Sequence, residues 1–197
     1  MSKNRLEAFS DGVLAIIITI MVLELHVPQG PAFADLGPLV PTILSYLLSF
    51  TFVGIYWNNH HHTFQAVHAV TGTILWANLH LLFWLSLIPL TTNWMGKNYS
   101  SAVPVAVYGF DLLMSSFAYW ILIQALVKHH GKDSKIAKAI GNDRKGKLSV
   151  ILYLVAVPLA FVSTWGSLAI YVVVALLWLI PDTRIEKLLT KTSEINP

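Results

Sequence analysis

Residues 36–96 read LGPLVPTILSYLLSFTFVGIYWNNHHHTFQAVHAVTGTILWANLHLLFWLSLIPLTTNWMG. These 61 residues contain no Asp, Glu, Lys or Arg. A membrane-spanning helix needs about 20 apolar residues, so the stretch is long enough for two spans joined by a short polar turn. We place the turn at residues 58–62, NNHHH, and the start of the following helix at Thr71. The stretch therefore predicts a helical hairpin inside a membrane.

The composition of the whole chain agrees with a membrane protein. Of its 197 residues, 55% are hydrophobic and 12% are charged, whereas a soluble domain carries about 25% charged residues. The mean hydropathy is +0.63. These values exclude a soluble enzyme and a nucleic-acid-binding domain. The absence of cysteine further excludes disulfides, zinc–thiolate sites and thiol nucleophiles.

The remaining apolar stretches predict four more helices. A second charge-free run, residues 148–181, has 34 residues and a break near residues 163–166, so it indicates a hairpin of two short spans. Residues 102–127 form another span, which Asp111 interrupts. We therefore predict an all-α integral membrane protein with a single domain over residues 1–197. Its six transmembrane helices are expected at about 8–26, 38–60, 70–95, 102–127, 147–163 and 165–181.

The positions of the basic residues predict the orientation. If the N-terminus is inside the cell, 12 of the 13 Lys and Arg residues fall on the inner side and only Lys97 lies outside. Because cytoplasmic segments carry an excess of Lys and Arg, both termini are expected in the cytoplasm. The basic pI of about 9.1 is then a topology signal, and no nucleic-acid partner is expected. A cleavable signal peptide is disfavoured because Glu7 and Asp11 are acidic where signal sequences are basic.

The first helix opens with an unusual group of charges: Arg5, Glu7 and Asp11. Arg5 and Asp11 are six residues apart, which places them about 120° apart around a helix. They cannot pair well with each other, so each is expected to find a partner on a neighbouring helix or subunit. The alternative is an interfacial anchor in which Arg5 and Glu7 lie among lipid headgroups and Asp11 caps the helix.

Farther along, the first helix carries an apolar stripe. Ile16, Thr19, Ile20 and Leu23 follow the spacing i, i+3, i+4 and i+7 and lie on one helical face. Any transmembrane helix supplies such a stripe, so periodicity alone does not assign it a function. A lone threonine in a helix usually donates to its own backbone, and this remains the alternative to an ion-binding role for Thr19.

The residues Arg5, Phe9, Ser10 and Asp11 form the pattern Arg-x-x-x-Phe-Ser-Asp. This pattern resembles the signature of the transmembrane protein 175 family of potassium channels, and it stands at the start of the first of six helices, as it does there. The short, unrepeated six-helix plan resembles the prokaryotic members. The resemblance implies a homotetramer in a cell (inner) membrane, surrounded by membrane lipids, with a central pore lined by the first helices. The four motif residues would then have a structural role at the inner end.

The resemblance also implies which residues line the pore. It places the narrow apolar constriction at Ile16, with Ile20 and Leu23 lining the pore farther out, and it makes Thr19 the residue of cation selectivity. Potassium would pass down its gradient as the permeant ion, with no catalytic residue, cofactor or bound metal. We add the expectation that Glu24, repeated in each subunit, concentrates cations at the outer mouth; the alternative is an interfacial carboxylate in water.

Two other classes of function stay open. A secondary or proton-coupled transporter would use Asp111 and His80 as a relay, although neither inverted repeats nor broken helices are evident. On this interpretation, or on a purely structural one, Tyr108 and Ser115 are expected to hydrogen-bond Asp111 along its helix.

A metalloenzyme would use His60, His61 and His62. Consecutive residues point about 100° apart on a helix, so this histidine cluster is better explained as an interfacial turn. Because histidine titrates near neutral pH, the cluster also predicts a pH sensitivity.

Overall fold

The computed structural model describes residues 2–131, 134, 137, 141 and 143–179. Across this part of the chain the long elements are six α-helices, as the charge-free runs predict. They are α1 (Lys3–Leu23), α2 (Val40–Gln65), α3 (Gly72–Lys97), α4 (Ala102–His130), α5 (Arg144–Leu159) and α6 (Thr164–Leu179). A short 3-10 helix, Phe33–Leu39, leads into α2. The predicted tail after Pro181 and most of the loop before α5 lie outside the described residues.

Four of the six helices are long and apolar enough to cross a membrane: α1, α2 together with its 3-10 lead, α3 and α4. Helices α5 and α6 have 16 residues each, which corresponds to about 24 Å at 1.5 Å per residue. This is less than the hydrocarbon thickness of about 30 Å. The two helices of the last hairpin are therefore short for membrane spans, as the break near residues 163–166 predicts.

Helix α3 is at the centre of the packing. It contacts α4 most extensively, and it also packs against α2 and α1. The hairpin of α5 and α6 lies against α4, and α6 also touches α2. Helix α1 packs mainly on α2 and α3, so the described part of the chain leaves one side of α1 uncovered.

Hydrogen bonds between polar side chains connect α2 to α4. They occur at three positions on α2 that are seven residues apart, and each of them joins a tyrosine to a serine or a threonine. The hydrogen-bonded pairs are Ser49–Tyr108 at 2.9 Å, Tyr56–Ser116 at 3.1 Å and Thr63–Tyr119 at 2.9 Å. In lipid there is little hydrophobic force between helices, so such hydrogen bonds contribute to the specificity with which α2 and α4 are arranged.

The polar turn predicted at residues 58–62 is wrong. Helix α2 continues to Gln65, and His60 is buried, at 2% exposure. The helix continues because Thr63 and the backbone of Asn59 both hydrogen-bond the Tyr119 hydroxyl, and because His60 has a buried partner of its own. The predicted start of the next helix is confirmed, since the Thr71 side chain caps α3 by accepting from the Ile74 amide.

The expected partners of Asp111 are also wrong. The Tyr108 hydroxyl bonds Ser49, and the buried Ser115 hydroxyl has no hydrogen-bond partner in the described part of the chain. Asp111 instead accepts a hydrogen bond of 2.9 Å from Thr91 on α3. Helical spacing alone misled the prediction because a partner on the neighbouring helix is better placed than one on the same helix. Asp111 therefore links α3 to α4.

Candidate functional site

Helix α1 has one buried face and one exposed face. Its buried residues recur every three or four positions and pack on α2 and α3; they are Leu6, Ser10, Leu14, Ile17 and Met21. On the other side, Ile16 is 58%, Ile20 41% and Leu23 81% exposed. Within the residues that the structure describes, nothing covers the large aliphatic side chains on this side. The face is therefore available to a lipid, to another copy of the chain or to a pore.

All four residues predicted to line a pore lie on the exposed side of α1. Thr19 is exposed together with Ile16, Ile20 and Leu23. At 1.5 Å per residue, Ile20 lies about 6 Å and Leu23 about 10 Å beyond Ile16 along the helix axis. The stripe therefore forms a continuous apolar surface with a single hydroxyl in its middle.

The Thr19 hydroxyl donates a hydrogen bond of 2.8 Å to the carbonyl of Ile16. This is the backbone interaction that is common for a threonine in a helix. A hydroxyl has one donor hydrogen and two acceptor lone pairs, and this interaction uses only the hydrogen. The lone pairs of the exposed oxygen stay available to coordinate a cation, so the backbone hydrogen bond and an ion-binding role are compatible.

At the inner end, a chain of buried hydrogen bonds ties α1 to α3 and α2. The His60 Nε2–H donates to Asn78 Oδ1 at 2.8 Å, and Asn78 Nδ2 donates to the Ser10 hydroxyl at 2.9 Å. Ser10 in turn donates to the carbonyl of Leu6 at 2.9 Å. The direction follows from the chemistry, because an amide oxygen can only accept and an amide nitrogen can only donate. Ser10, His60 and Asn78 are all at most 2% exposed, so the chain of hydrogen bonds holds α1 in a defined register.

A second contact joins the motif to α2. Trp57 donates its indole N–H to Asp11 Oδ1 at 3.0 Å, and the indole stacks on the ring of His61. Asp11 thus finds its partner on a neighbouring helix, as the angular argument predicts. Arg5 and Phe9 lie on the exposed side of α1.

Sequence reasoning did not identify Trp57, His60 and Asn78 as the partners of the motif. The signal available was their polarity within a stretch of 61 residues that contains no Asp, Glu, Lys or Arg. A polar side chain in a span needs a partner. Which partner it takes depends on how the helices pack, and the sequence does not show this.

At the outer end of α1, one polar contact with α3 is present among the described residues. The amide of Asn93 donates to the carboxylate of Glu24, which is the C-terminal cap residue of α1. A groove of about 420 Å3 runs along the contact between α1 and α3 and reaches Glu24 and Asn93. Its walls include Ile16 and Ile20, so the groove borders the exposed stripe.

The two residues proposed as a transporter relay, Asp111 and His80, have different hydrogen-bond partners. Asp111 accepts from Thr91, whereas His80 accepts from Trp84 on its own helix at 3.0 Å. Thr91 is 11 residues beyond His80 on α3, or about 16 Å along the axis, so Asp111 and His80 do not form a direct relay.

The histidine cluster is likewise divided among different partners. His60 bonds Asn78, and His61 bonds Gln65 at 2.8 Å. In the residues that the structure describes, no group of three or more His, Cys, Asp and Glu side chains is arranged to hold a metal ion.

Comparisons with known proteins agree with the motif. Residues 5–89 match the family described as the endosomal/lysosomal potassium channel TMEM175. A potassium channel of Chryseobacterium sp. (strain P1-3) is 54% identical over 187 residues, covering 95% of this chain and 97% of the relative. The endosomal/lysosomal proton channel TMEM175 of Mus musculus is 37% identical over 102 residues, covering 46% of this chain and 20% of the relative.

A solved structure shares the fold. The crystal structure of a lysosomal potassium-selective channel TMEM175 homolog from Chamaesiphon minutus superposes with a TM-score of 0.79 at 31% identity. The match covers 91% of this chain and 97% of that chain. At this identity and coverage the two chains share their fold over most of their length.

Proposed function

We propose, from the premise that this chain belongs to the TMEM175 family, that it is a potassium-selective channel through which potassium flows passively. The observation that carries this conclusion is the 54% identity over 95% of the chain to a protein named as a potassium channel. The chain is not an enzyme, because its family and its relatives are ion channels.

The pore of this channel is formed by several copies of the chain, with one first helix from each. One chain contributes only one α1, so a pore lined by α1 requires an oligomer. We propose a homotetramer. The uncovered face of α1 supports this arrangement, because a helix that lines a pore must leave one face unpacked by its own subunit. The large exposed fractions of Ile16 and Leu23 meet that requirement.

The gate is a ring of Ile16 side chains around the axis. An apolar constriction closes a pore by dewetting, since a hydrated ion finds no polar group to replace its water. Ile20 and Leu23 extend the apolar lining outward. A small tilt of α1 widens the ring and lets water and ions enter.

Selectivity resides at Thr19, one turn from the constriction. Four Thr19 oxygens at one level offer lone pairs to a partly dehydrated cation, because each hydroxyl hydrogen is held by the carbonyl of Ile16. The ring therefore presents oxygen and not hydrogen to the pore, which favours a cation over an anion.

The inner end of α1 is a structural anchor. Ser10 and Asp11 tie α1 to its own subunit through Asn78 and Trp57. Arg5 and Phe9 are the motif residues that their own subunit leaves exposed, and we assign them to contacts with the neighbouring subunit or the headgroup layer.

We place the channel in the cell membrane of a prokaryote, with both termini in the cytoplasm. The distribution of the basic residues supports this orientation, with only Lys97 on the outer side. The bacterial origin of the Chryseobacterium relative supports the location.

Ion flux through the purified protein in liposomes tests the function. Potassium, sodium and proton fluxes are compared under matched gradients, because the bacterial relative is named a potassium channel and the mouse relative a proton channel. We expect potassium flux that exceeds sodium flux and shows single-channel steps in planar bilayers. Saturable, proton-coupled flux without single-channel currents contradicts the channel and favours the transporter.

A further inference from the structure

The hairpin of α5 and α6 is separate from the pore-lining face of α1. In the described part of the chain, α5 packs on α4 and α6, and α6 also packs on α2, whereas α1 packs mainly on α2 and α3. Because the proposed pore is lined by α1, the hairpin lies toward the lipid-facing side of the assembly. An exposed surface of the hairpin therefore faces the bilayer.

The outer end of the hairpin is level with the outer ends of α3 and α4. The Tyr171 hydroxyl of α6 donates to the carbonyl of Val105 at 3.1 Å, and Val105 lies in the first turn of α4. The rings of Tyr99 and Trp165 are in contact, with centroids 5.6 Å apart. Tyr99 joins α3 to α4, and Trp165 begins α6. The hairpin therefore starts at the same membrane surface as the long helices.

The inner end of the hairpin stops short of the inner end of α4. The indole N–H of Trp178 donates to the Ser149 hydroxyl at 2.8 Å. Lys145 Nζ donates to the carbonyl of Leu177 at 3.3 Å, so the start of α5 is level with Trp178. From Thr164 to Trp178 the helix rises about 21 Å, whereas the 29 residues of α4 extend about 43 Å. The hairpin therefore covers about half the length of α4.

One face of α4 shows where this cover ends. Gly109 is buried, and the Tyr171 hydroxyl lies directly against it. Trp120 is 11 residues farther along, which places it within about 20° of Gly109 on the same face and about 17 Å nearer the cytoplasm. The Trp120 side chain is 52% exposed. Helix α6 therefore does not cover this level of α4 as it covers Gly109.

The cytoplasmic end of α5 joins exposed cations to an apolar stripe. Arg144 and Lys147 lie among the first four residues of α5 and are exposed. The helix dipole disfavours cations at an N-terminus, so an anion beside them is stabilising. Ile151 and Leu154 follow Lys147 at i+4 and i+7 on one helical face and are 57% and 56% exposed. This face therefore carries positive charge at the cytoplasmic end and aliphatic side chains toward the membrane centre.

The apolar part of the hairpin is shorter than the bilayer is thick. From Lys147 to the end of α5 at Leu159 the helix rises about 18 Å, against a hydrocarbon thickness of about 30 Å. A span that is too short is accommodated by local thinning of the bilayer. Because the outer ends of the helices are level, the thinning falls on the cytoplasmic leaflet. It brings the lipid phosphates toward Arg144 and Lys147.

We propose that α5 binds an anionic phospholipid of the cytoplasmic leaflet, with the phosphate at Arg144 and Lys147 and an acyl chain along Ile151 and Leu154. The assignment to this leaflet rests on the proposed orientation of the channel, whereas binding itself does not depend on conduction. A soluble phosphate compound lacks the chain that contacts the stripe. A zwitterionic lipid brings a cationic group next to the two cations, so it binds more weakly.

Thermal unfolding of the purified full chain in dodecyl maltoside tests the binding, because a ligand that binds only the folded state raises the Tm with its concentration. The probe is dioleoylphosphatidylglycerol. Dioleoylphosphatidylcholine has the same chains and a zwitterionic headgroup, and glycerol phosphate has the phosphate without the chains. We expect the anionic lipid to raise the Tm at concentrations at which the other two compounds leave it unchanged.

Two variants locate the lipid. Arg144→Gln and Lys147→Gln each remove one positive charge from an exposed position. Each should raise the half-saturating concentration of the anionic lipid roughly fivefold, since one Lys or Arg near an anionic membrane surface contributes about this much. The matched control is Lys97→Gln, because Lys97 is an exposed lysine at the outer end of α3. The control should bind the lipid as the unmodified chain does.

The thinning is measured with a spin label in dioleoyl bilayers. The chain has no cysteine, so Leu148→Cys supplies one labelling position next to Lys147, where Leu148 is 45% exposed. The control, Leu154→Cys, lies six residues or about 9 Å farther along α5. Electron paramagnetic resonance should place the label of Leu148→Cys at the level of the phosphates and that of Leu154→Cys in the hydrocarbon. Equal immersion of the two labels overturns the proposed position of the phosphate.

The binding data also overturn the proposal if the zwitterionic lipid or glycerol phosphate shifts the Tm as much as the anionic lipid does. Unweakened binding in Arg144→Gln and Lys147→Gln, or equal weakening in Lys97→Gln, has the same consequence. If one glutamine variant does not fold, the other decides. If Ile151→Asn breaks the oligomer and leaves lipid binding intact, a second copy covers this face instead. A chain that binds the anionic lipid but passes no potassium contradicts the proposed function and leaves the lipid site intact.

Discussion

The two ends of α1 are attached to the rest of the chain in different ways. At the inner end, Ser10 and Asp11 receive hydrogen bonds from α3 and α2, and the amide of Asn78 has a partner on each side. At the outer end, Glu24 has one interhelical hydrogen bond in the described part of the chain, from Asn93, whose own side-chain oxygen has no donor there. The inner half of α1 is thus hydrogen-bonded to α2 and α3, whereas the outer half borders the groove between α1 and α3.

This difference assigns separate tasks to the two halves. A hydrogen bond inside a bundle fixes the register of a helix, so the inner half is suited to anchor α1. The proposed gate and selectivity residues, from Ile16 to Leu23, lie in the outer half of α1, which makes fewer polar contacts with neighbouring helices than the inner half. A tilt of α1 about its inner end therefore moves these residues most, and the following variants test that separation.

The largest effect on stability is expected from Asn78→Leu. This change leaves the buried Nε2–H of His60 without an acceptor, which should lower the free energy of unfolding by about 1–3 kcal/mol. Thermal or denaturant unfolding of the purified chain measures it.

The control for Asn78→Leu lies on the same helix. Asn93→Leu removes an orphaned acceptor at the outer end, so its cost should stay below that of the inner variant. Adding His60→Phe to Asn78→Leu should recover part of the loss, since both polar partners are then gone. Equal losses at Asn78 and Asn93 would remove the distinction between the two ends.

The next effect concerns conduction. Ile16→Asn places an amide at the constriction, which wets the pore, so potassium flux in liposomes should rise on the order of tenfold, equivalent to about 1.4 kcal/mol of barrier. The control is Val22→Asn, because Val22 is also exposed on α1 but points about 120° away from Ile16. An equal rise in both variants, or in neither, would remove Ile16 from the gate.

The helices of the fold were predictable because their signal is local. An unbroken apolar run marks each span, and most bounds of the six observed helices lie within four residues of the predicted ones. The two exceptions are the start of α1, at Lys3 and not at about residue 8, and the end of α2, at Gln65 and not at about residue 60. The exception at α2 is instructive. The string of residues 58–62 is polar enough to resemble a turn, but Thr63 and His60 have partners on α4 and α3. Those partners are far away in the sequence, so the continued helix could not be read from it.

The candidate site was predictable in part. The stripe from Ile16 to Leu23 follows helical periodicity, and its exposure in the structure agrees with a face that another molecule covers. The partners of Ser10 and Asp11 depend on the packing of three helices. The sequence marks Asn78 and Trp57 only as polar groups within spans, and it gives no means of pairing them with the motif.

A smaller effect is expected from Trp57→Phe, which removes the donor to Asp11 and keeps the stacking on His61. Because this contact is exposed, the loss of unfolding free energy should be about 0.5–1 kcal/mol. Trp120→Phe is the matched control, since Trp120 is 52% exposed against 46% for Trp57 and stacks on Phe117. Asp11→Asn keeps an acceptor oxygen and should be milder than Asp11→Ala. If the two Asp11 variants behave alike, the hydrogen bond does not hold α1.

The smallest effect is expected from Thr19→Val, which keeps the shape of the side chain and removes the oxygen. Thr19 is exposed and its hydrogen bond is to its own helix, so unfolding should change by less than about 0.5 kcal/mol. The potassium-to-sodium permeability ratio, measured by reversal potentials under bi-ionic conditions, should fall about threefold, equivalent to about 0.6 kcal/mol. Thr19→Ser keeps the oxygen and should retain the ratio. Because Thr19 lies on the exposed face of α1 and bonds no other helix in the described part of the chain, a change of selectivity without a change of stability is the expected result for a residue that faces the pore. A large loss of stability with the ratio intact would assign Thr19 to packing instead.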